Sequence, residues 1–183
     1  TSLGTLTAVW KLPDLRRRIL YVFGMLAEFV VGLHIPVPHI DREAMGRLVE
    51  AGGGLFALFD VFSGGAFRKF SIFAMSITPY INASIIFQLL GIAVPRIAQL
   101  AKEGETGQKK IAQWTRWLTM GLAVLQATGL CLLLRSQGIL TRGGLQFVPI
   151  VLTLTAGTAF LMWMGEQITD KGIGQGISLI IFV

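Results

Sequence analysis

The sequence predicts an all-α, polytopic membrane protein, and three observations support this fold class. Residues 70–95 contain no charged side chain, and about 20 apolar residues are enough to cross a ~30 Å hydrocarbon core. Only 14% of the 183 residues are charged, whereas soluble domains carry roughly 25%. The basic residues stand beside apolar runs instead of forming one stripe, as the positive-inside rule expects of a membrane protein.

Composition also limits the class of function. The net charge of +6 would suit a nucleic-acid partner, but the basic residues flank apolar runs, so we expect no direct nucleic-acid site. The single cysteine, Cys131, excludes an internal disulfide and a cysteine-based metal cluster. No catalytic triad, phosphate-binding loop or metal motif is present, so we expect neither an enzyme nor a cofactor. The chain begins without methionine and ends inside an apolar run, which suggests a fragment.

Residues 1–18 are expected to lie at the cytoplasmic surface of the membrane. Trp10 suits the headgroup region, and the three consecutive arginines that follow it suit an anionic inner leaflet. Residues 19–35 form the first expected membrane span, because Pro36 prevents the helix from continuing. Glu28 within this span has two interpretations, a proton or ion relay or a carboxyl that is protonated or faces a helix partner.

A short apolar segment hinged on glycine lies within residues 36–69, which we expect to form an external loop. Its apolar part, residues 55–62, would cover about 12 Å as a helix and cannot span the membrane. This half-helix, at about 55–65, is interpreted either as a re-entrant or interfacial loop or as a mobile element that occupies and leaves a cavity. Asp60 argues against burial in lipid and indicates a wet vestibule.

Residues 70–92 form the second expected span, which carries many small polar side chains. Polar atoms in a membrane need protein partners or a water-filled passage, so we expect this span to line something. Ile77 and Ile81 are four residues apart and would share a helix face. They are interpreted either as ordinary packing or as an apolar constriction that gates a passage by dewetting.

The remaining elements follow from the distribution of charge. Residues 93–116 are expected to form a basic cytoplasmic loop, residues 117–134 and 145–165 the third and fourth spans, and residues 172–183 the start of a fifth span. A tight charged loop is expected at 166–171. Because the N-terminus and the loop after the second span are both strongly basic, both are expected on the cytoplasmic side.

Three glycines alternate with other residues at positions 172, 174 and 176. This spacing resembles a phosphate-binding loop only superficially, because no strand precedes it and no acidic partner follows at the required distance. Close helix contact, or a flexible entry into the fifth span, is the favoured interpretation.

Three segments occur in an order and at separations that are typical of one channel family. They are FSGGAFRKFSIFAMSITPYINASIIFQLL (62–90), LAKEGETGQKKIAQWTR (100–116) and MWMGEQITDKGIGQGISLIIF (162–182). On these segments the chain resembles the SecY family, the central subunit of the bacterial protein-conducting channel, from about Pro13 to its end. The resemblance implies one half, the N-terminal one, of an inverted-repeat SecY-type channel with a short re-entrant plug half-helix.

The resemblance also implies roles for individual residues. The plug, which would seal the outer funnel, corresponds to Leu55, Phe56, Leu58, Phe59, Asp60, Val61, Phe62, Ser63, Gly64 and Gly65. The apolar pore ring corresponds to Ile77, Ile81, Ile177 and Ile181. As an interpretation of our own, the candidates for polar contacts at the lateral gate are Ser84, Gln88 and Gln126.

The implied function is passive conduction of unfolded polypeptides across the cell's inner (cytoplasmic) membrane, with lateral release of signal sequences and membrane segments into lipid. The implied partners are the SecE and SecG subunits, the SecA ATPase or the translating ribosome, secretory polypeptides and the C-terminal half of SecY. Alone, the chain is expected to be inactive. The residues also allow an alternative function, half of an inverted-repeat secondary transporter. Sensitivity of transport to Glu28→Gln would favour that alternative. A purely structural membrane subunit is a third class.

Overall fold

The computed structural model describes residues 2–140 and 144–183, and most of this part of the chain is helical. Its isolated backbone bridges join Pro36 to Ser71 and Ile40 to Leu140. A 3₁₀ turn covers Gly144–Gln146. The helices are α1 (Ser2–Lys11), α2 (Pro13–Gly32), α3 (Arg42–Ala51), α4 (Gly54–Phe62), α5 (Ala66–Lys69), α6 (Thr78–Ala93), α7 (Pro95–Lys102), α8 (Glu105–Ser136), α9 (Phe147–Lys171) and α10 (Gly176–Phe182).

Local chemistry explains where α2 and α3 begin. α2 starts at Pro13, whose fixed φ suits the first helical position, and Asp14 in its first turn complements the helix dipole. α3 follows Asp41, whose carboxylate accepts hydrogen bonds from the backbone N–H groups of Glu43 and Ala44 at 3.0 and 3.3 Å. The starting points of the two helices that precede the half-helix are therefore specified by local residues.

Two helices of the described residues, α8 and α9, are long and apolar enough to cross a membrane. α8 has 32 residues and so extends about 48 Å. Taken together, α6 and α7 would make a third crossing, but their axes meet at 103°. The bend falls at Pro95, which has no N–H to continue α6 and restricts Val94 to an extended backbone.

The structure differs from the continuous helix expected over residues 70–92. Residues 72–77 form turns, and the helix begins only at Thr78. Phe70 and Ser76 have positive φ values of 44° and 51°, which a right-handed helix does not contain. Pro79 fits the first turn of α6 because its missing N–H needs no partner there.

Other boundaries also differ from those expected. Residues 166–171, expected as a charged loop, instead form the last turns of α9. Residues 93–116, expected as a loop, are mostly helical and contribute α7 and the first turns of α8. The half-helix ends at Phe62, and residues 63–65 form a turn in which Gly64 and Gly65 have φ values of 62° and 81°.

Buried side chains form two clusters that meet at the turn 72–77. The first cluster includes Met45, Phe67, Phe70, Leu134 and Ile150. The second includes Phe29, Phe73, Leu161, Met164 and Ile168. Gly157 on α9 lets the turn approach closely, because a Cβ there would lie 2.0 Å from the carbonyl oxygen of Ile72. The turn is thus packed directly against α9.

The alternating glycines lie between α9 and α10 and include a close helix contact. A Cβ on Gly176 would lie 2.0 Å from the carbonyl oxygen of Gly165, so only glycine lets these two backbones approach. The carbonyl oxygen of Gly172 accepts a hydrogen bond from the Arg18 guanidinium at 3.3 Å. The interpretation of these glycines as packing residues agrees with this geometry.

Candidate functional site

The turn between α4 and α5 is closed by side-chain hydrogen bonds. The hydroxyl of Ser63 accepts a hydrogen bond from the N–H of Phe67 at 3.0 Å and donates one to the carbonyl oxygen of Asp60 at 3.1 Å. The Asp60 carboxylate accepts a hydrogen bond from the N–H of Arg68 at 2.8 Å. These side chains therefore cap the first turn of α5, a role for Asp60 that the sequence analysis missed.

Contacts between described residues seat one side of the half-helix α4 against the rest of the molecule. Phe56 stacks on Phe67 with ring centroids 6.0 Å apart. The hydroxyl of Ser76 donates a hydrogen bond to the carbonyl oxygen of Phe62 at 3.4 Å. Val61 on the same helix is 77% exposed. One face of α4 thus packs against the rest of the molecule, and another face is exposed.

An apolar cavity of about 310 Å³ lies where α4 meets the start of α6 and the end of α10. We call it the isoleucine cavity. Its lining consists of Leu55, Leu58, Phe62, Ser76, Ile77, Thr78, Ile81 and Ile181. Ile77 is packed into the core at 1% exposure, whereas Ile181 is 42% exposed. Three of the four isoleucines expected in the pore ring therefore meet three side chains of the expected plug.

The fourth isoleucine of the expected ring points elsewhere. The Cγ1 atom of Ile177 would lie 2.9 Å from a Cβ built on Gly165, so this side chain packs against α9. It is not part of the isoleucine cavity lining. The four-residue spacing of Ile177 and Ile181 therefore does not bring both side chains to the cavity, and the role of Ile177 in a ring stays a prediction.

The remaining residues of the expected plug either form the turn after α4 or have side chains outside the described part of the chain. Gly64 and Gly65 form the left-handed turn after α4. The backbone of Phe59 belongs to α4, and its side chain lies outside the described part of the chain. The plug assignment as a whole stays a prediction.

A second apolar cavity, of about 410 Å³, lies between α6 and α8 beside α4. We call it the α6–α8 cavity. Its lining consists of Leu55, Phe56, Phe67, Ala74, Met75, Thr78, Asn82, Gln126, Gly129, Leu130 and Leu133. Gln126, a lateral-gate candidate, thus shares this cavity with Thr78 and Asn82 of α6.

The other two lateral-gate candidates do not line the α6–α8 cavity. Ser84 lies two residues beyond Asn82, about 200° around the helix, and Gln88 is one turn beyond Ser84. Thr78 and Asn82 are four residues apart and so share the face that meets Gln126. That spacing was the signal available in the sequence, and the gate roles of Ser84 and Gln88 stay predictions.

The two cavities offer contact surface and no reactive groups. Neither lining contains an acid, a base or a thiol. Within the described residues, no three or more His, Cys, Asp and Glu side chains are grouped as metal ligands. Such linings are suited to contact with apolar groups.

An ion pair joins the two long helices. The Arg116 guanidinium Nε on α8 lies 2.6 Å from Glu166 Oε1 on α9. The Glu166 side chain is 23% exposed, so the pair is partly shielded from water. Sequence reasoning placed Glu166 in a loop and missed this contact, which depends on how the two helices pack.

A family model described as SecY matches residues 71–183 of the chain. The chain belongs to the SecY family. This SecY-family chain is 44% identical over 188 residues to the protein translocase subunit SecY of Streptomyces scabiei, with 95% of this chain and 43% of the relative covered. It is 48% identical over 177 residues to the protein translocase subunit SecY of Escherichia coli strain K12, with 93% of this chain and 40% of the relative covered.

Solved structures of SecY-type channels share the fold. Sec61 in the canine ribosome–channel complex of the endoplasmic reticulum superposes with a TM-score of 0.63 at 17% identity, covering 96% of this chain and 40% of that one. A second match is a SecY structure in which the plug domain is described as stabilising the closed state and maintaining a membrane seal. It superposes with a TM-score of 0.59 at 18% identity, covering 95% of this chain and 38% of that one. The SecY-family chain therefore spans less than half of these proteins.

Proposed function

We propose that this chain supplies the N-terminal half of the pore-forming subunit of a protein-conducting channel in the cytoplasmic membrane. The observation that carries the proposal is the isoleucine cavity, where Ile77, Ile81 and Ile181 face the apolar side chains of α4. The relatives that match this chain over most of its length are protein translocase subunits. Their similarity supports the same function. The activity is passive conduction and not catalysis.

In the proposed mechanism, the isoleucines form part of a gasket around the translocating chain. Apolar side chains at a constriction resist wetting and so limit ion leak. In the resting channel α4 covers the cavity. Val61 on α4 is 77% exposed and the connecting turn contains Gly64 and Gly65, so we expect α4 to leave when a polypeptide enters. Separation of α6 from α8 would open the second cavity to lipid.

The proposed setting includes partners and an orientation. The C-terminal half of SecY would complete the ring, SecE and SecG would accompany it, and SecA or a translating ribosome would supply the driving force. The likeness to Sec61 in a ribosome–channel complex supports ribosome docking. The N-terminus and the basic segment 93–116 would face the cytoplasm.

The test is site-specific photocrosslinking in the assembled channel with a secretory protein stalled halfway through export. The crosslinker replaces Ile81, which lines the isoleucine cavity. Ile86, five residues on and about 140° around α6, is the matched control because it lies outside that lining and is exposed. We expect a crosslink from position 81 and none from position 86.

A stalled and engaged substrate that crosslinks from neither position would remove the pore assignment. In that case the transporter alternative would be tested by Glu28→Gln, which a channel should tolerate. Glu28 lies on the exposed side of α2, and it is in neither apolar cavity lining.

A further inference from the structure

A third cavity, of about 600 Å³, lies between the end of α2, helix α3 and helix α5. It shares no lining residue with the two apolar cavities, and the conducting function proposed above does not use it. Its lining consists of Leu33, His34, Pro36, Arg42, Gly46, Arg68 and Lys69. We call it the basic cavity.

The lining of the basic cavity is positively charged and contains no carboxylate. Arg42, Arg68 and Lys69 contribute three cations. Of these, Arg68 donates a hydrogen bond to Glu50 on α3. Among the ion pairs of the described residues, none involves Arg42 or Lys69.

The acids close in sequence to Arg42 have other partners. The Asp41 carboxylate accepts hydrogen bonds from the first N–H groups of α3. Glu43 lies 3.7 Å from Arg47, one turn further along α3. Two cations therefore face one concave site without a neutralising group in its lining, an arrangement that attracts an anion.

The walls of the basic cavity are held in place by the backbone. The N–H of Val37 donates to the carbonyl oxygen of Phe70 at 3.0 Å, and the N–H of Ile72 donates to the carbonyl oxygen of Ile35 at 3.0 Å. The loop that carries His34 and Pro36 is thus tied to the segment that follows Lys69. Phe70 next to Lys69 is 1% exposed and anchors that segment. A site whose walls are already ordered loses less entropy on binding.

We propose that the basic cavity binds a phosphate-type anion, either the phosphate group of an anionic lipid or free phosphate. Arginine presents a planar fork that matches phosphate oxygens, and lysine adds a point charge. The cavity lies at the end of α2, which contains most of the first expected span, and lipid phosphates lie at the ends of membrane spans. A bound phosphate would offset the positive charge of Arg42 and Lys69, and a ligand that binds only the folded protein stabilises it by mass action.

The test uses the assembled channel and two probes. Inorganic phosphate is titrated at constant ionic strength into channels in phosphatidylcholine nanodiscs, and the melting temperature is followed. Native mass spectrometry then measures retention of phosphatidylglycerol from an equal mixture with phosphatidylcholine. The variants are Arg42→Gln and Lys69→Gln. Arg47→Gln is the matched control, because it removes the same charge from α3 at a residue outside the cavity lining.

We expect saturable binding in the parent channel that weakens about tenfold in each of the two cavity variants, as loss of one charge-assisted hydrogen bond implies. The Arg47→Gln channel should bind as the parent does. Retention of phosphatidylglycerol without a response to phosphate identifies a lipid headgroup as the ligand, a response to phosphate alone identifies the free anion, and both together mean that the site accepts either. Absence of both, or equal weakening by Arg47→Gln, overturns the proposal.

Discussion

At the scale of single residues, two polar side chains beside the half-helix have a defined structural task. Asp60 and Ser63 accept hydrogen bonds from the first N–H groups of α5, which would otherwise lack helical partners. Asp60 thereby links the end of α4 to the start of α5. This cap gives the charged residue inside an apolar segment a structural role, whereas the wet vestibule stays a prediction.

The cap predicts different effects for two substitutions at Asp60. Asp60→Ala removes the acceptor for the Arg68 N–H and should lower the free energy of unfolding by about 0.5–2 kcal/mol. Asp60→Asn keeps an acceptor oxygen and should cost clearly less. Unfolding of the purified channel in mixed micelles measures both. Equal losses would mean that the charge and not the hydrogen bond matters.

A second prediction concerns the glycine under the turn 72–77. Gly157→Ala places a methyl group against the Ile72 carbonyl oxygen and should destabilise the channel by about 1–3 kcal/mol through overpacking. Gly121→Ala on α8 is the matched control, since nothing lies within 4 Å of its Cβ position. The control should be neutral or stabilising. Similar melting temperatures for the two variants would contradict this packing.

At the scale of elements, α8 and α9 are tied by a polar contact as well as by apolar packing. The Arg116–Glu166 pair is short and partly shielded, whereas the Lys109–Glu105 pair on α8 is 4.0 Å long and exposed. Exposed pairs contribute little because water and salt screen them. The interhelical pair should therefore contribute measurably to the docking of α8 on α9.

A double-mutant cycle tests this difference. The cycle of Arg116→Ala and Glu166→Ala should show a coupling energy of about 1 kcal/mol. The matched cycle of Lys109→Ala and Glu105→Ala should show no measurable coupling. The measurement is the free energy of unfolding of each variant, repeated at high salt. Strictly additive effects in the first cycle would exclude a role for the ion pair in stability.

At the scale of the whole molecule, the length of α8 bears on the proposed orientation. Its 32 residues are more than the roughly 20 that a bilayer core requires. The extra length lies at its polar N-terminal part, residues 105–116, which carries the basic residues expected in the cytoplasm. The proposed orientation therefore places the two ends of α8 on opposite sides.

Cysteine labelling in cells tests the orientation. In a Cys131→Ala background, a cysteine replaces either Gln108 or Gln137, both of which are exposed at opposite ends of α8. An impermeant maleimide added outside should label position 137 in intact spheroplasts. It should label position 108 only after the membrane is opened. The reverse pattern would invert the proposed topology.

The helical membrane class, the half-helix and the family were determined by the sequence alone, because they depend on runs of apolar residues, glycine hinges and ordered motifs. The turn at 72–77 and the helical form of 166–171 depended on tertiary structure, since Gly157 gives the turn a surface to pack on and Arg116 gives Glu166 a partner. Packing also selected Thr78 and Asn82 as the face of α6 that meets Gln126, and turned Ile177 towards Gly165. Periodicity assigns residues to a face, but the neighbouring helices decide what that face contacts.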